Sequence, residues 1–98
     1  MARLIYGARA LDDLDRLTDF LLESDPLAAS GTAGLIIEAL QILENHPLVG
    51  RPCEAGLREL VISRGRTGYL ALYDYFERED AVVVLAIRHQ REAGYATD

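Results

Sequence analysis

The chain has no lysine and no tryptophan, and only one cysteine, one methionine and three prolines in 98 residues. With Cys53 alone, no disulfide can form within the chain. No histidine pattern surrounds Cys53, which argues against a thiol nucleophile or a metal ligand there. No zinc spacing, phosphate-binding loop or serine-nucleophile turn is found, so neither a metal nor a cofactor is expected. No apolar run approaches the ~20 residues that cross a bilayer, and neither end carries a lipidation signal. The opening Met1–Tyr6 is too short for the apolar core of a secretory signal. A lone cysteine without such a signal points to the cytoplasm and away from any membrane. Basic charge is also scarce. A net charge of −6 and a pI near 4.8 argue against broad attachment to nucleic acid, which needs a positive surface.

The charge that is present is unevenly placed. Asp12, Asp13, Asp15, Asp19, Glu23 and Asp25 crowd one early segment, whereas Arg51, Arg58, Arg64, Arg66, Arg78, Arg88 and Arg91 lie in the second half. Without lysine, these cations are guanidiniums, suited to bidentate contact with carboxylate or phosphate.

Half of the residues are hydrophobic, enough for one domain over residues 1–98 with its own core. No internal repeat or low-complexity linker divides it. Residues 2–6 read as a short strand. From about Ala8 to Glu23 the spacing predicts a helix, with Leu11, Leu14, Leu17, Leu21 and Leu22 inward and the acids with Arg16 on a solvated face. Asp25-Pro26 restarts the chain as a second helix, Pro26 suiting its first position. Leu35, Ile36, Ala39, Leu40, Ile42 and Leu43 carry that helix to about Asn45, where His46-Pro47 ends it. So short a break predicts an antiparallel helical hairpin. Leu48–Gly56 reads as a loop. Three strands follow. Leu57–Arg64 alternates and is closed by the turn Gly65-Arg66-Thr67-Gly68. Gly68–Glu77 sets Tyr69, Ala71, Tyr73 and Tyr75 on one face, with Tyr73 the least committed to the core. Ala81–His89 is β-branched and almost continuously apolar, as a central strand should be. The short connections favour an antiparallel meander. The tail Gln90–Asp98 is polar and is expected to be loose. The whole reads as an α+β two-layer domain, β-α-α-β-β-β, with the hairpin on one sheet face and tyrosines and arginines on the wetter one.

Residues Leu43, His46-Pro47, Gly50-Arg51-Pro52 and Gly56-Leu57-Arg58-Glu59-Leu60 occur in order. Gly65-Arg66-Thr67-Gly68-Tyr69, Tyr73, Asp80, the valine run and Arg88-His89 with Arg91-Glu92 follow. No one piece is specific, but the ordered combination resembles the ParE/RelE superfamily of plasmid-stabilisation toxins over nearly the whole chain. The resemblance implies a RelE/ParE-like fold with an antiparallel sheet and the first strand beside the last. It also implies a cognate antitoxin partner, either a homodimer or a toxin–antitoxin hetero-oligomer, and one of two targets. A ParE-like toxin inhibits DNA gyrase, whereas a RelE-like toxin cuts messenger RNA on the ribosome. A non-toxic relative serving as an interaction module is the third reading. Acidity and the lack of a dense basic cluster weigh against the ribonuclease.

Metal-free RNA cleavage needs an acid, a base and cations for the phosphate. His89, Arg66 and Tyr73 are the catalytic candidates under that reading, with His89 as acid or base and Tyr73 orienting or stacking a base. The simpler role for His89 is to end a strand and satisfy a neighbouring carbonyl or carboxylate, and His46 more simply caps a helix exit. For binding an antitoxin or target, the candidates are Arg58, Arg64, Arg66, Tyr73, Arg88 and Arg91. Arg58, mid-strand among apolar residues, suits an ion pair. Arg66, between glycines, is either a reaching contact or a solvated charge. Arg88 and Arg91 flank His89 and form a small basic spot.

Overall fold

Ala10, Leu14, Leu17 and Leu21 repeat at helical spacing and form the inward stripe of α1 (Ala8–Ser24) in the computed structural model. The structure describes residues 1–64 and 67–95, without the side chains of Ser24, Ala28, Ser30, Ser63, Arg64 and Thr67. Asp25 alone separates α1 from α2 (Pro26–Leu40): its N–H closes on the Leu21 carbonyl, and its own carbonyl accepts from the Ala29 N–H. On α2, Ala29, Thr32, Ile36 and Leu40 face inward, and a 3-10 turn over Gln41–Glu44 adds Leu43 to the same stripe. The second helix is therefore α-helical to Leu40 rather than to Asn45.

The hairpin covers one face of a five-stranded sheet of order β1-β5-β4-β3-β2, with β1 Arg3–Tyr6, β2 Arg51–Pro52, β3 Arg58–Arg64, β4 Thr67–Phe76 and β5 Ala81–His89. Helix α1 packs on β5, and α2 reaches β3. Leu17, Ile36, Leu40 and Leu43 meet Ile62, Tyr69, Ala71, Tyr73, Val82, Val84 and Ile87 in one core. Each fully buried aliphatic there contributes about 1.5–3 kcal/mol relative to exposure.

The first strand does lie beside the last, but the pair is parallel, with Arg3↔Ala81 through Tyr6↔Val84 in register. The sheet is thus mixed, not antiparallel throughout. A parallel neighbour requires a long crossover, which the helical hairpin and the following strands supply. Two residues of the expected loop, Arg51 and Pro52, pair with Glu59 and Arg58 as the short edge strand β2. The turn residues Gly65 and Arg66 and the tail beyond Tyr95 lie outside the described residues.

β5 contains one residue more than β4 across from it. Leu72 pairs with Ala86 and Tyr73 with Val84, which leaves Leu85 as a bulge. Alternation changes phase there. Val82 and Val84 face the helices before it, whereas Ile87 and His89 do so after it. Strict period-two reading would have sent Arg88 under the helices and His89 to the open face. The bulge reverses both.

Candidate partner-binding site

β1 ends at Tyr6, so only the first part of β5 has a strand on that side, and the Gly7 N–H to the Val84 carbonyl is the last rung. Beyond it, side chains complete the edge. The Ile87 N–H donates to Asp13 Oδ2 at 2.8 Å, and the Ile87 carbonyl accepts from Arg16 Nη2 at 3.3 Å. The His89 N–H donates to Glu92 Oε1 at 2.8 Å. Arg16 ties these together, reaching Glu92 Oε2 at 2.7 Å and Asp13 Oδ1 at 3.3 Å. Asp13 is only 2% exposed. Its charge predicts the solvated face, but the structure buries it. Position 13 lies three after Ala10 and four before Leu17, so it falls on the buried stripe. Leu11 and Leu22, expected inside, are about half exposed at 50% and 51%. The carboxylate is tolerated in the interior because a backbone amide and a guanidinium both donate to it.

Beside this edge is a cavity of about 620 Å³ lined by Arg16, Leu17, Phe20, Leu21, Tyr69, His89, Arg91 and Glu92. Its wall is mainly apolar, and Phe20 at its rim is 69% exposed. His89 stands edge-to-face on Tyr69 with ring centroids 5.2 Å apart, and its Nδ1 accepts the Arg91 N–H at 3.1 Å. The group His89 satisfies is therefore an amide N–H rather than the carbonyl or carboxylate expected of it. Arg91 is exposed at the same rim. An apolar recess edged by a guanidinium and aromatic rings has the chemistry of an anchoring site for a partner side chain.

Tyr73 is nowhere near this surface. It is fully buried in the core, and its hydroxyl donates to the Pro47 carbonyl at 2.8 Å and accepts from the Gly50 N–H at 2.8 Å. Burial, partly offset by the Gly50 N–H and by Arg58, holds the phenol above its ordinary range. A Cβ at Gly50 would sit 2.6 Å from the ring, so only glycine brings the loop that close. The expectation of a tyrosine free to orient or stack a nucleic acid base is corrected by this placement. Arg58 also serves the loop: its Nη1 donates to the Leu48 carbonyl at 3.1 Å and the Gly50 carbonyl at 2.8 Å. Within the chain its bonds thus go to backbone carbonyls. Arg64 ends β3 opposite Thr67, but its side chain, like all of Arg66, lies outside the described residues.

On the opposite face of the sheet, Arg88 lies 5.2 Å from the Tyr95 ring centroid and donates to the Glu92 carbonyl at 2.7 Å. The Tyr95 hydroxyl donates to Glu59 Oε2 at 2.6 Å, and Arg51 Nε donates to Glu59 Oε1 at 2.9 Å. Burial pushes the Glu59 carboxyl up, but Tyr95 and Arg51, with Arg88 nearby, pull it down further, to a net position below the usual carboxylate range. The tail through Tyr95 is thus bonded to the sheet, contrary to the loose segment expected. Neither Glu59 nor Tyr95 stood out in the sequence, where Glu59 is one charge in an alternating strand and Tyr95 one aromatic in a polar tail.

Among the described residues, no cluster of three histidines, cysteines or acids could hold a metal, and no helix is long and apolar enough to cross a membrane. Over residues 4–94 the chain matches the model of the ParE toxin of type II toxin–antitoxin systems, parDE. It is 38% identical over 92 residues to Toxin RelE3 of Caulobacter vibrioides, covering 94% of this chain and 98% of that one. It is 33% identical over 89 residues to Toxin RelE2 of the same organism, covering 91% and 96%. Among solved structures it resembles a chain of the chromosomal ParDE toxin–antitoxin system of P. aeruginosa, with a TM-score of 0.78, 25% identity and coverage of 91% and 96%. It also resembles a chain of the RelBE2 toxin–antitoxin complex of Mycobacterium tuberculosis, with a TM-score of 0.61, 25% identity and coverage of 91% and 98%. A match over nearly the whole length, on a helical hairpin laid across a five-stranded sheet, means that this chain belongs to the ParE toxin family of type II toxin–antitoxin systems.

Proposed function

We propose that this toxin acts by binding rather than by catalysis, as a ParE-like inhibitor of DNA gyrase, and that a cognate antitoxin neutralises it. The observation carrying this reading is the separation of two of the catalytic candidates, His89 and Tyr73. His89 lies against Tyr69 on the α1 side, while Tyr73 is sealed in the core opposite Val84 with its hydroxyl engaged at both of its bonding positions. A ribonuclease of this kind would need Tyr73 to orient or stack a base beside the phosphate that His89 serves, and a side chain sealed in the core has no such reach.

A binding toxin needs an anchoring surface, and the recess edged by Arg91, Phe20 and His89 suits that role. It offers apolar area for an anchor side chain and a guanidinium for an acidic group beside it. The antitoxin partner follows from the family and from the toxin–antitoxin complexes that contain its structural neighbours. With Arg91 at the rim of the recess on an otherwise acidic chain, contact with the target is local and does not depend on net charge.

The test is made on purified, antitoxin-free protein. Loss of gyrase supercoiling, or trapped gyrase–DNA breaks, with ribosome-bound message left intact, is the expected result. Cut message on translating ribosomes, abolished by His89→Ala, would replace this reading with the ribonuclease.

A further inference from the structure

From Gln90 to Tyr95 the polypeptide after β5 stays against the molecule. It turns around the end of the strand and is fastened on both sides of the sheet. On the helix side, Glu92 receives Arg16 Nη1 at 2.7 Å and the His89 N–H at 2.8 Å. On the open side, Tyr95 reaches Glu59 at 2.6 Å while its ring lies under Arg88. Only Ala93 and Gly94 separate the two fastenings. Arg88, which stacks on Tyr95, also donates to the Glu92 backbone carbonyl, so one guanidinium touches both.

We infer that Gln90–Tyr95 is a strap with two clasps, Glu92 on Arg16 and Tyr95 on Glu59, that open together, so that pulling on one face of the sheet uncovers the other. Three features carry this. The link is too short for one clasp to move far while the other stays fixed. Arg88 shares its contacts between the clasps, so losing either weakens the hold on the second. Arg16 and Arg88 each also have a buried Nε without a hydrogen-bond partner among the described residues. A network satisfied only in part is less costly to open than one with every donor paired.

The strap connects two surfaces that otherwise have no common residue. Glu92 and Arg91 line the α1-side recess. Tyr95 lines a second cavity of about 430 Å³ on the open face, with Gly7, Ala8, Arg9, Leu72, Leu85 and Ala86. A partner that draws Glu92 away from Arg16 would release Tyr95 and bare Glu59 and the apolar floor of that cavity. The inference concerns the chain itself and holds whichever target the toxin acts on.

Two conservative variants of the full chain test it, each read at the opposite clasp. Glu92→Gln removes the charge that holds Arg16. It is expected to speed exchange of the Tyr95 hydroxyl proton, which Glu59 accepts, about tenfold, the loss of one charge-assisted bond. It should also move the Tyr95 phenol, which burial and the Glu59 carboxylate hold above the ordinary tyrosine range, down toward the ionisation of a free tyrosine, followed by NMR of labelled tyrosine. Tyr95→Phe keeps the ring and removes only the hydroxyl. It is expected to speed exchange of the His89 amide, which Glu92 shields, by a similar factor, because coupling of this kind is reciprocal. The double variant should exceed the larger single effect only slightly. If each variant loosens its own clasp and leaves the other at the wild-type rate, or if the double effect is the product of the two singles, the clasps are independent and the inference fails. Should Glu92→Gln not fold, the Tyr95→Phe reading at His89 decides alone.

Discussion

The two halves of β5 solve the same problem differently. From Ala81 to Val84 the edge is closed by another strand, β1, and the side chains are almost wholly apolar. From Leu85 to His89 it is closed by Asp13, Arg16 and Glu92, delivered from a helix and from the segment that follows the strand. A backbone ladder is built from groups every residue carries. A side-chain ladder needs particular residues, and each has a polar remainder that must be accommodated. The second half is consequently where Arg16, Arg91, the exposed Phe20 and the α1-side recess come together. What completes the sheet also shapes the surface offered to a partner.

The strongest way to break the comparison is Asp13→Ala. It strips the Ile87 amide of its acceptor and leaves Arg16 with one carboxylate instead of two, so chemical denaturation should show a loss of about 2–4 kcal/mol. A loss under about 1 kcal/mol would mean that the side-chain ladder is ornamental. Next is Tyr73→Phe, which lies opposite Val84 at the end of the strand-paired half. Losing both hydroxyl bonds and leaving the Gly50 amide unpaired should cost about 1–2 kcal/mol, with target inhibition retained by the folded protein. Lost inhibition at unchanged stability would return Tyr73 to the list of functional residues.

Glu59→Gln sharpens the comparison through pH. The folded Glu59 carboxyl lies below the ordinary range, so the unfolded chain binds its proton first as pH falls. The stability it contributes is present above the ordinary carboxylate range and is lost as pH drops through the depressed folded value. The variant should therefore be the less stable protein near neutrality, and its stability should converge with wild type as the pH is lowered. Parallel profiles across that range would show that Glu59 is not held as described. The smallest stability effect belongs to Arg91→Glu at the exposed rim, within about 0.5 kcal/mol of wild type.

Much of this architecture was legible from periodicity. The first helix's span, the break at Asp25-Pro26 and the three meander strands follow from where apolar residues recur and where glycine and proline interrupt, whereas Ala81–His89 has a strand on both sides only as far as Val84. The parallel pairing of β1 was not legible, because a four-residue strand has the same alternation in either direction. Nor was the bulge at Leu85, since one extra residue in an all-apolar run leaves no mark, yet it decides that Arg88 and His89 face opposite sides of the sheet. The charge of Asp13 points to solvent, while its position on the helical stripe points inward, and the position prevails. Tyr73 was misjudged because its two hydroxyl partners, Pro47 and Gly50, are distant in sequence and approach only after folding. The same distance in sequence hid the Glu59–Tyr95 pair.

The account rests most directly on the rim beside the second half of β5. The measurement is survival of cells expressing the wild-type chain or Arg91→Glu without antitoxin, with both proteins verified as soluble and folded. The wild-type chain is expected to kill, and charge reversal at Arg91 is expected to restore survival at least about tenfold, the factor given by ~1.4 kcal/mol of lost binding. Equal killing by the two proteins would remove this rim from the site of action, and normal growth with the wild-type chain would contradict its role as an active toxin.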